Sequence, residues 1–357
     1  MNPARTRFWF GLAIALLIGS PFADAADISK AVEPSKWETG RITSPESVVE
    51  MKALQLRVKE VSKQALSSTV GLLVGNGAGS GVIVSEDGLV LTAAHVIGKP
   101  RQSITFVLSD GSFVKGVSLG MNAGADSGMA RITDVPPKNA TWSGAQEGKW
   151  PVMDMGKSVE LRQQQWVVAM GHPGGPKPDR PPPVRTGRLG TSTEQMAKNR
   201  LINTDCTLVG GDSGGPLFDL AGKVIGIHSQ INPYLLELNM HVPVDKFRSD
   251  WDRLLRGDAI GQRSNAILGI KYDSEAKNAK IAEVVESSAA AKADLAAGDV
   301  IVKFNGHKVK EAGDITDMLS SYEPDDKVKL VIERDGETLS VDVKLGGTKP
   351  NRTRRNN

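Results

Sequence analysis

A serine surrounded by glycines, set between two apolar segments, limits the possible folds of this chain more than any other stretch. Residues 210–217 read GGDSGGPL, and Ser213 is the serine. Glycines permit tight turns and close backbone approach, so such a run can expose a hydroxyl and direct neighbouring N–H groups at one point. Residues 216–227 then read as strand, turn and strand, with no helix. This disfavours a nucleophile elbow, in which a helix follows the serine. A structural turn with an idle serine stays open.

A serine hydroxyl acts as a nucleophile only beside a base, and the base needs a group that orients it. His95 directly follows the apolar residues of a predicted strand. Asp126 immediately precedes an alternating apolar segment, whereas the two other acids considered for this role, Asp110 and Asp134, do not. The predicted triad is therefore His95, Asp126 and Ser213.

The order of these residues along the chain, His, Asp and then Ser, resembles that of the chymotrypsin-like serine proteases. Up to about residue 257, short apolar segments alternate with turn residues, which is typical of all-β barrels or sandwiches. The resemblance implies a mainly β fold, with a double β-barrel, trypsin-like protease domain at 66–257. It also implies that the N–H groups of Gly211 and Ser213 form the oxyanion hole.

The same resemblance places Thr207, six residues before the serine, at the base of the S1 pocket that receives the substrate side chain. Thr207 is small and uncharged. A charged substrate side chain would be buried there without a partner, at a cost of several kcal/mol. The expected preference at P1 is therefore for small or medium apolar residues.

The first 25 residues are predicted to be a secretory signal peptide. Arg5 and Arg7 precede an apolar run at 8–18, and residues 23–25 read ADA, a small-x-small cleavage site. The run is shorter than the roughly 20 residues that cross a bilayer; an uncleaved anchor is the alternative. Cys206 is the only cysteine, and an exported protein without disulfides fits a bacterial envelope. The expected location is periplasmic or secreted. A net charge of only +3 gives no electrostatic case for binding nucleic acid.

The remaining segments complete the predicted domain organisation. Residues 26–65 contain a helix, 258–264 form a polar linker and 347–357 a basic flexible tail. The Gly-rich residues 75–81 are expected to connect two strands, and the apolar spacing over 244–256 predicts one helix. The Pro-rich insert at 176–183 is expected to be a surface loop, and His172 before it a loop residue and not a second catalytic histidine. Residues 265–346 read as a small α+β domain whose last two strands are joined by an Asp-Gly turn. On residues 267–270 (ILGI) and 298–306 (GDVIVKFNG), this segment resembles a bacterial PDZ domain.

A PDZ domain binds a peptide or a peptide C-terminus as an added strand. By resemblance, Leu268, Gly269 and Ile270 supply N–H groups for the peptide carboxylate. Ile315 and Leu319 then wall an apolar pocket. The alternative is that these are ordinary core residues of a small domain.

A trypsin-like domain and one PDZ domain behind a signal peptide resemble the HtrA (DegP-like) family. The most specific motifs are GSGVIV at 79–84, LTAAHV at 91–96 and DSGGP at 212–216. The family implies cleavage of misfolded or unfolded envelope proteins by a trimer-based homo-oligomer, with no cofactor. His228 and His241 lack metal-ligand spacing, so no metal site is predicted. A catalytically silent chaperone or peptide-binding scaffold that retains the protease fold is the alternative function.

The sequence departs from the family at Asp212, where asparagine is usual. A buried aspartate requires a cation. No site for cutting a new amino terminus precedes the first strand, so the hypothesis is that Arg185 or Arg188, taken to lie in a loop with the Pro-rich insert at 176–183, pairs with Asp212 and makes that loop a switch. A second departure is Asp294, where the family commonly has glycine.

Overall fold

The chain forms two β-barrels followed by a smaller α+β domain. The computed structural model describes residues 44–137, 146–190, 201–231, 239–261 and 265–347. The strands of the first barrel are β1 (Thr69–Val74), β2 (Gly77–Ile83), β3 (Leu89–Ala93), β4 (Ser103–Val107), β5 (Phe113–Asn122) and β6 (Ser127–Ile132). Their order is β5-β4-β1-β2-β3-β6, and a further pairing of β5 with β6 closes the sheet. Buried aliphatic side chains and Phe106 fill the interior.

The second barrel is also antiparallel. Its strands are β7 (Trp166–Met170), β8 (Val184–Arg188), β9 (Ile202–Thr204), β10 (Pro216–Asp219), β11 (Val224–Gln230) and β12 (Asn239–Pro243). The order is β8-β7-β10-β11-β12-β9, and a bridge between Leu189 and Thr204 joins its two ends. The mainly β fold indicated by the short apolar segments is therefore confirmed, as is the double barrel implied by the resemblance.

Most glycines at 75–81 lie within β2 and make room for neighbouring side chains, which corrects the expectation that they form a turn. Residues 75–81 were expected to connect two strands, but β2 begins at Gly77 and only two residues turn. A Cβ on Gly79 would lie 2.6 Å from Val96 Cγ1, and one on Gly81 would lie 2.6 Å from Val90 Cγ1. The strand lacks side chains there because its neighbours occupy the space.

Helices flank the barrels. Helix α1 (Val48–Leu66) is capped by Ser47, whose Oγ accepts the N–H of Glu50, and it packs against the second barrel. The short α2 (Ala94–Ile97) follows β3 directly. The single helix expected over 244–256 is instead two, α3 (Val244–Ser249) and α4 (Trp251–Arg256). They break at Asp250, whose carboxylate accepts the side-chain amide of Asn122 on β5. In the described part of the chain, no helix is long and apolar enough to span a membrane.

The third unit is a small sheet with two helices. Its elements are β14 (Ala266–Ile267), β15 (Ile270–Tyr272), β16 (Ile281–Val284), α5 (Ala289–Lys292), β17 (Val300–Phe304), β18 (His307–Lys308), α6 (Ala312–Leu319), β19 (Lys327–Arg334), β20 (Glu337–Lys344) and β21 (Gly346–Gly347). The turn between β19 and β20 has positive φ at Asp335 and Gly336, as an Asp-Gly hairpin turn requires. Asp294 has a φ of 55°, a left-handed conformation that glycine adopts freely and aspartate tolerates, which explains why glycine suits this position.

The junction between the barrels and the third unit is more ordered than a polar linker. Residues 258–264 were expected to connect the domains loosely. Strand β13 (Ala259–Ile260) instead pairs in parallel with β5, and Asp258 beside it is only 2% exposed. Residues 262–264, the predicted signal peptide at 1–25 and most of the tail lie outside the described residues.

Basic side chains of the first barrel and of α4 contact the end of α6 and the turn after it. The guanidinium of Arg101 lies 3.9 Å from the centre of the Tyr322 ring, and Arg101 also pairs with Asp326. Arg253 contacts Asp317 at 2.6 Å. These contacts join the third unit to the first barrel and to α4.

Candidate active site

His95 and Asp126 form a close pair at the edge of the first barrel. His95 lies on α2 at the end of β3, and Asp126 lies just before β6 with a φ of 57°. His95 Nδ1 is 3.0 Å from both carboxylate oxygens, and the backbone N–H of His95 donates to Asp126 Oδ1 at 3.1 Å. Because a carboxylate only accepts, Nδ1 carries the proton and Nε2 is left as the basic nitrogen.

The charges and hydrogen bonds of this pair shift both pKa values in the directions that suit His95 as a base. The hydrogen bond that His95 donates to Asp126 raises the pKa of His95 from its usual 6.5, although burial acts in the opposite direction. Burial tends to raise the pKa of Asp126, but hydrogen bonds from His95 and from Ser229 Oγ outweigh it, and the pKa lies below its usual value. Asp126 is therefore an anion that orients the ring and stabilises its protonated form.

The two alternative acids are occupied elsewhere. Asp110 accepts the N–H and the hydroxyl of Ser112 within its own turn. Asp134 accepts the backbone N–H of Lys115. Neither contacts His95, whereas Asp126 does so through both oxygens.

Ser213 lies against the strand that leads to His95. Its carbonyl oxygen accepts the N–H of Ser80 on β2 at 2.8 Å. A Cβ on the next residue, Gly214, would lie 2.2 Å from Thr92 Oγ1 and 3.1 Å from Ala93 N, two residues before His95. Gly214 also has a φ of 85°, so only glycine fits there. The turn around Ser213 and the end of β3 thus meet across the two barrels. Within the described residues, no hydrogen bond joins the Ser213 hydroxyl to His95.

The N–H groups of Gly211 and Ser213 have no acceptor among the described residues. The carbonyl oxygen of Gly210 accepts the N–H of Gly174 at 2.7 Å, and that of Asp212 accepts the N–H of Gly215 at 2.8 Å. In a trans peptide the N–H points away from the carbonyl of the preceding residue. Both free N–H groups therefore point away from the bonds that fix their peptide planes.

Asp212 is fully buried and forms an ion pair with Arg185. Arg185 Nη2 lies 2.7 Å from Oδ1, and Nη1 lies 3.0 Å from Oδ2. Arg188 does not contact Asp212; its guanidinium lies 4.5 Å from the centre of the Trp166 ring. Both arginines belong to β8 and not to a loop, which corrects the expected placement. Strand residues three apart face opposite sides, so only one of the two reaches Asp212.

The expected S1 residue, Thr207, is exposed, and no described acidic side chain bonds to it. The carboxylate of nearby Asp205 is turned toward β8, where it accepts the N–H of Arg188. Cys206 between them is fully buried, and burial raises the pKa of its thiol to about 12. The thiol therefore stays protonated and acts as a small apolar side chain.

Two buried histidines form a hydrogen-bonded chain behind the turn that carries Ser213. His228 Nε2 lies 3.1 Å from the carbonyl oxygen of Met170, which can only accept, so Nε2 carries the proton. His228 Nδ1 then accepts from His241 Nδ1 at 2.9 Å, and His241 Nε2 accepts from Thr204 Oγ1 at 2.7 Å. Burial lowers the pKa of both rings, to about 3 for His241. Both rings are therefore neutral.

Sequence reasoning missed several residues that organise this site. Ser229 bonds to Asp126, and the hydroxyl of Ser80 donates to the carbonyl oxygen of Gly211 at 2.8 Å. His228 holds Gly214 and Gly215 through its backbone C=O and N–H. The only sign of these residues in the sequence was a polar residue near the end of an apolar strand. Many serines occur in that position without contributing to a site. His172, expected in a surface loop, is 2% exposed, and burial and the charge of Arg180 lower its pKa to about 4.

The residues expected to bind peptide in the third unit lie around β15 and α6. Ile270 is half-buried on β15, which pairs only with β16 among the described strands, so its other edge is open. Gly269 has a φ of 80°, and Leu319 is half-buried. Leu268 and Ile315, in contrast, are only 2% and 0% exposed and belong to the core. In this conformation Ile315 offers no surface to a ligand, which corrects its expected role as a pocket wall.

In the part of the chain that the structure describes, no group of three or more His, Cys, Asp or Glu side chains could hold a metal ion.

Comparison with known proteins agrees with the order of the two folded units along the chain. The family described as "Trypsin-like peptidase domain" matches residues 79–227, and the family described as "PDZ domain" matches residues 266–345. A protein from Pseudomonas fluorescens named "Probable periplasmic serine endoprotease DegP-like" is 30% identical over 284 residues. The chain belongs to the HtrA (DegP-like) family of trypsin-like proteases with a PDZ domain.

The match covers 75% of this HtrA-family chain and 56% of that relative, so the chain spans little more than half the length of the curated protein. A relative of the same name from Pseudomonas putida is 30% identical over 287 residues, with the same coverage. A solved structure, described as a serine endoprotease from Yersinia pestis, covers 82% of this chain and 98% of its own. It is 19% identical with a TM-score of 0.46.

Proposed function

We propose that this protein is a serine endopeptidase that hydrolyses peptide bonds of unfolded or misfolded envelope proteins. The observation that carries the proposal is the His95–Asp126 pair, which lies at the same barrel interface as the turn of half-buried Ser213. A neutral imidazole that donates its Nδ1 proton to a half-buried carboxylate is the arrangement of a general base.

In the proposed reaction, Ser213 Oγ attacks the carbonyl carbon of the scissile bond and His95 Nε2 takes the hydroxyl proton. The Gly211 and Ser213 N–H groups stabilise the oxyanion. His95 returns the proton to the leaving amine as the C–N bond breaks, and an acyl-enzyme forms. Water, activated by His95, then attacks the ester and releases Ser213. Asp126 remains an anion throughout and stabilises the imidazolium.

The proposed specificity is for small or medium apolar residues at P1. Thr207 carries no charge, and the carboxylate of neighbouring Asp205 is engaged by the Arg188 backbone. A basic P1 side chain would therefore lack a partner in this pocket.

The test is digestion of casein, and of matched peptides with Val or Arg at P1, by the purified mature protein beside Ser213→Ala. We expect cleavage after Val, a slower rate after Arg, and a loss of at least about 10³-fold in Ser213→Ala. A fluorophosphonate probe should label the wild type at Ser213. If neither protein cleaves or is labelled, and both keep an unfolded client soluble, the chaperone alternative is correct. Faster cleavage after Arg contradicts the proposed pocket.

The PDZ domain is proposed to bind peptide C-termini along the open edge of β15. Relatives named as periplasmic support a periplasmic location for this chain, reached through the predicted signal peptide. Assembly into a trimer-based homo-oligomer is proposed from the family resemblance, and light scattering of the mature protein tests it.

A further inference from the structure

The buried carboxylate of Asp212 is held in one orientation. Arg185 approaches it with two parallel N–H groups at 2.7 and 3.0 Å, and Oδ2 also accepts the N–H of Val209 at 2.9 Å. A Cβ on Gly171 would lie 2.7 Å from Oδ1, so the end of β7 has no side chain at the position next to the carboxylate. Two-point contacts between guanidinium and carboxylate fix direction as well as distance. Asp212 is thereby tied to β8 on the second barrel.

Asp212 also closes both ends of the turn that carries the nucleophile. Its N–H donates to the carbonyl of Val209 at 3.1 Å, and its carbonyl accepts the N–H of Gly215 at 2.8 Å. The direction of the Asp212 carbonyl sets the direction of the Ser213 N–H, because the two belong to one peptide plane. The side chain that anchors this residue therefore controls one of the two oxyanion donors.

The second donor is fixed from the segment that leads into β8. The Gly210 carbonyl is held by the N–H of Gly174, which sets the plane containing the Gly211 N–H. A Cβ on Gly211 would lie 2.4 Å from the carbonyl oxygen of His172, so the two segments are in close contact. Arg180 in turn donates to the carbonyl of Gly175 at 2.8 Å. The stretch from residue 172 to Arg185 thus contacts the nucleophile turn at both ends.

We propose that Arg185 is the positioning residue of the oxyanion hole. By neutralising and orienting Asp212, it holds the turn at 209–215 so that the Gly211 and Ser213 N–H groups face the reacting carbonyl. The cation comes from inside the folded domain, so no newly cut amino terminus is needed. This inference rests on the proposed function, since an oxyanion hole acts only if Ser213 attacks a carbonyl.

The kinetic test compares four variants on the peptide with Val at P1. Arg185→Met should lower kcat by about 100-fold, the effect of losing one oxyanion donor, with KM changed less than about threefold. Arg185→Lys keeps the charge but loses the two-point contact, so its kcat should lie between those of wild type and Arg185→Met. Arg185→Met with Asp212→Asn should recover most of the loss, because a neutral amide needs no cation and still accepts the Val209 N–H. Arg188→Met, the matched control on the same strand, should keep wild-type kcat.

Hydrogen exchange gives a readout that does not require turnover. In Arg185→Met the amides of Asp212 and Gly215 should exchange at least about tenfold faster than in wild type, and the double variant should restore their protection. Unchanged exchange at these amides in Arg185→Met overturns the proposal, as does a double variant no better than the single one. Failure of the proposed function is seen separately, as wild-type turnover equal to that of Ser213→Ala.

Discussion

At the scale of single residues, neighbours decide what each histidine of this protein can do. His95 contacts a carboxylate and its pKa is raised, whereas His241 is buried against neutral groups and its pKa falls to about 3. The same type of side chain can thus accept a proton in one place and stay a neutral hydrogen-bonding group in another. Of these two histidines, only His95 has a neighbouring carboxylate that stabilises its protonated form.

The raised pKa of His95 predicts the acidic limb of the pH–rate profile. The base must be neutral, so activity rises as pH rises through the pKa of His95, and the midpoint of kcat/KM should lie above 6.5. Asp126→Asn removes the charge that raises this pKa, so the midpoint should move to lower pH. The plateau rate should fall by about 10³- to 10⁴-fold, because the ring also loses its orientation.

Rates measured from pH 5 to 9 check this prediction. Asp134→Asn is the control, since Asp134 bonds only to Lys115 and should leave both midpoint and plateau unchanged. A limb that stays in place in Asp126→Asn would mean that another group titrates.

From the sequence alone, only those site residues could be identified that a local pattern marks. Asp126 was distinguished from Asp110 and Asp134 by the alternating strand that follows it. Ser229 could not be found, because its partner Asp126 lies 103 positions away and nothing local marks the contact. Choosing Arg185 over Arg188 required knowing which face of β8 points inward, and a strand of five residues with arginines near both ends does not show that.

At the scale of elements, contacts with residues distant in sequence accompany the places where sequence patterns failed. The apolar spacing over 244–256 predicted one helix, but the helix breaks at Asp250, whose carboxylate accepts the side-chain amide of Asn122 on β5. The glycines of β2 resembled a turn because glycine is common in turns, whereas here they make room for side chains of β1, β3 and α2. Both outcomes depend on partners distant in sequence.

The neutral chain His228–His241–Thr204 predicts that acid destabilises the protease domain. The folded-state pKa values lie below the 6.5 of an unfolded histidine, so below pH 6.5 the unfolded state binds protons that the folded state cannot. As the pH is lowered below 6.5, the free energy of unfolding should therefore decrease by about 1.4 kcal/mol per pH unit for each such histidine. His241→Gln should be less stable at pH 8 and should show a shallower fall.

Calorimetric unfolding between pH 8 and 4 measures this slope. His307→Gln serves as the comparison, since His307 is exposed on the PDZ domain and should change the slope less. A His241→Gln slope equal to that of wild type would show that the chain does not titrate in this way.

At the scale of the whole molecule, the PDZ domain contacts the first barrel and α4 through a few charged side chains, and the N–H of Ala259 donates to Ser320 Oγ at 3.2 Å. Arg101 lies over Tyr322, and Arg253 pairs with Asp317. Exposed ion pairs contribute about 0.2–1 kcal/mol each, and a cation–π contact about as much. The docked arrangement is therefore stabilised only modestly, and few substitutions should release it.

Arg101→Ala combined with Arg253→Ala should loosen the two domains, because both contacts are removed while each core stays intact. Small-angle X-ray scattering should show a larger radius of gyration than wild type. Lys271→Ala, which removes an ion pair with Glu283 away from this junction, should not change it. Identical scattering from all three proteins would show that other contacts hold the domains.

The Pro-rich insert at 176–183 packs on the first barrel and continues into the second. A Cβ on Gly71 of β1 would lie 2.2 Å from Pro176 Cβ, and one on Gly111 would lie 2.3 Å from the carbonyl oxygen of Pro178, so the insert rests on the first barrel while it leads into β8 of the second. Movement of the two barrels away from each other would pull on the segment that runs from Pro176 to Arg185. A force that separates the barrels, such as the entry of an oversized substrate, would therefore act on the ion pair between Arg185 and Asp212, next to Ser213.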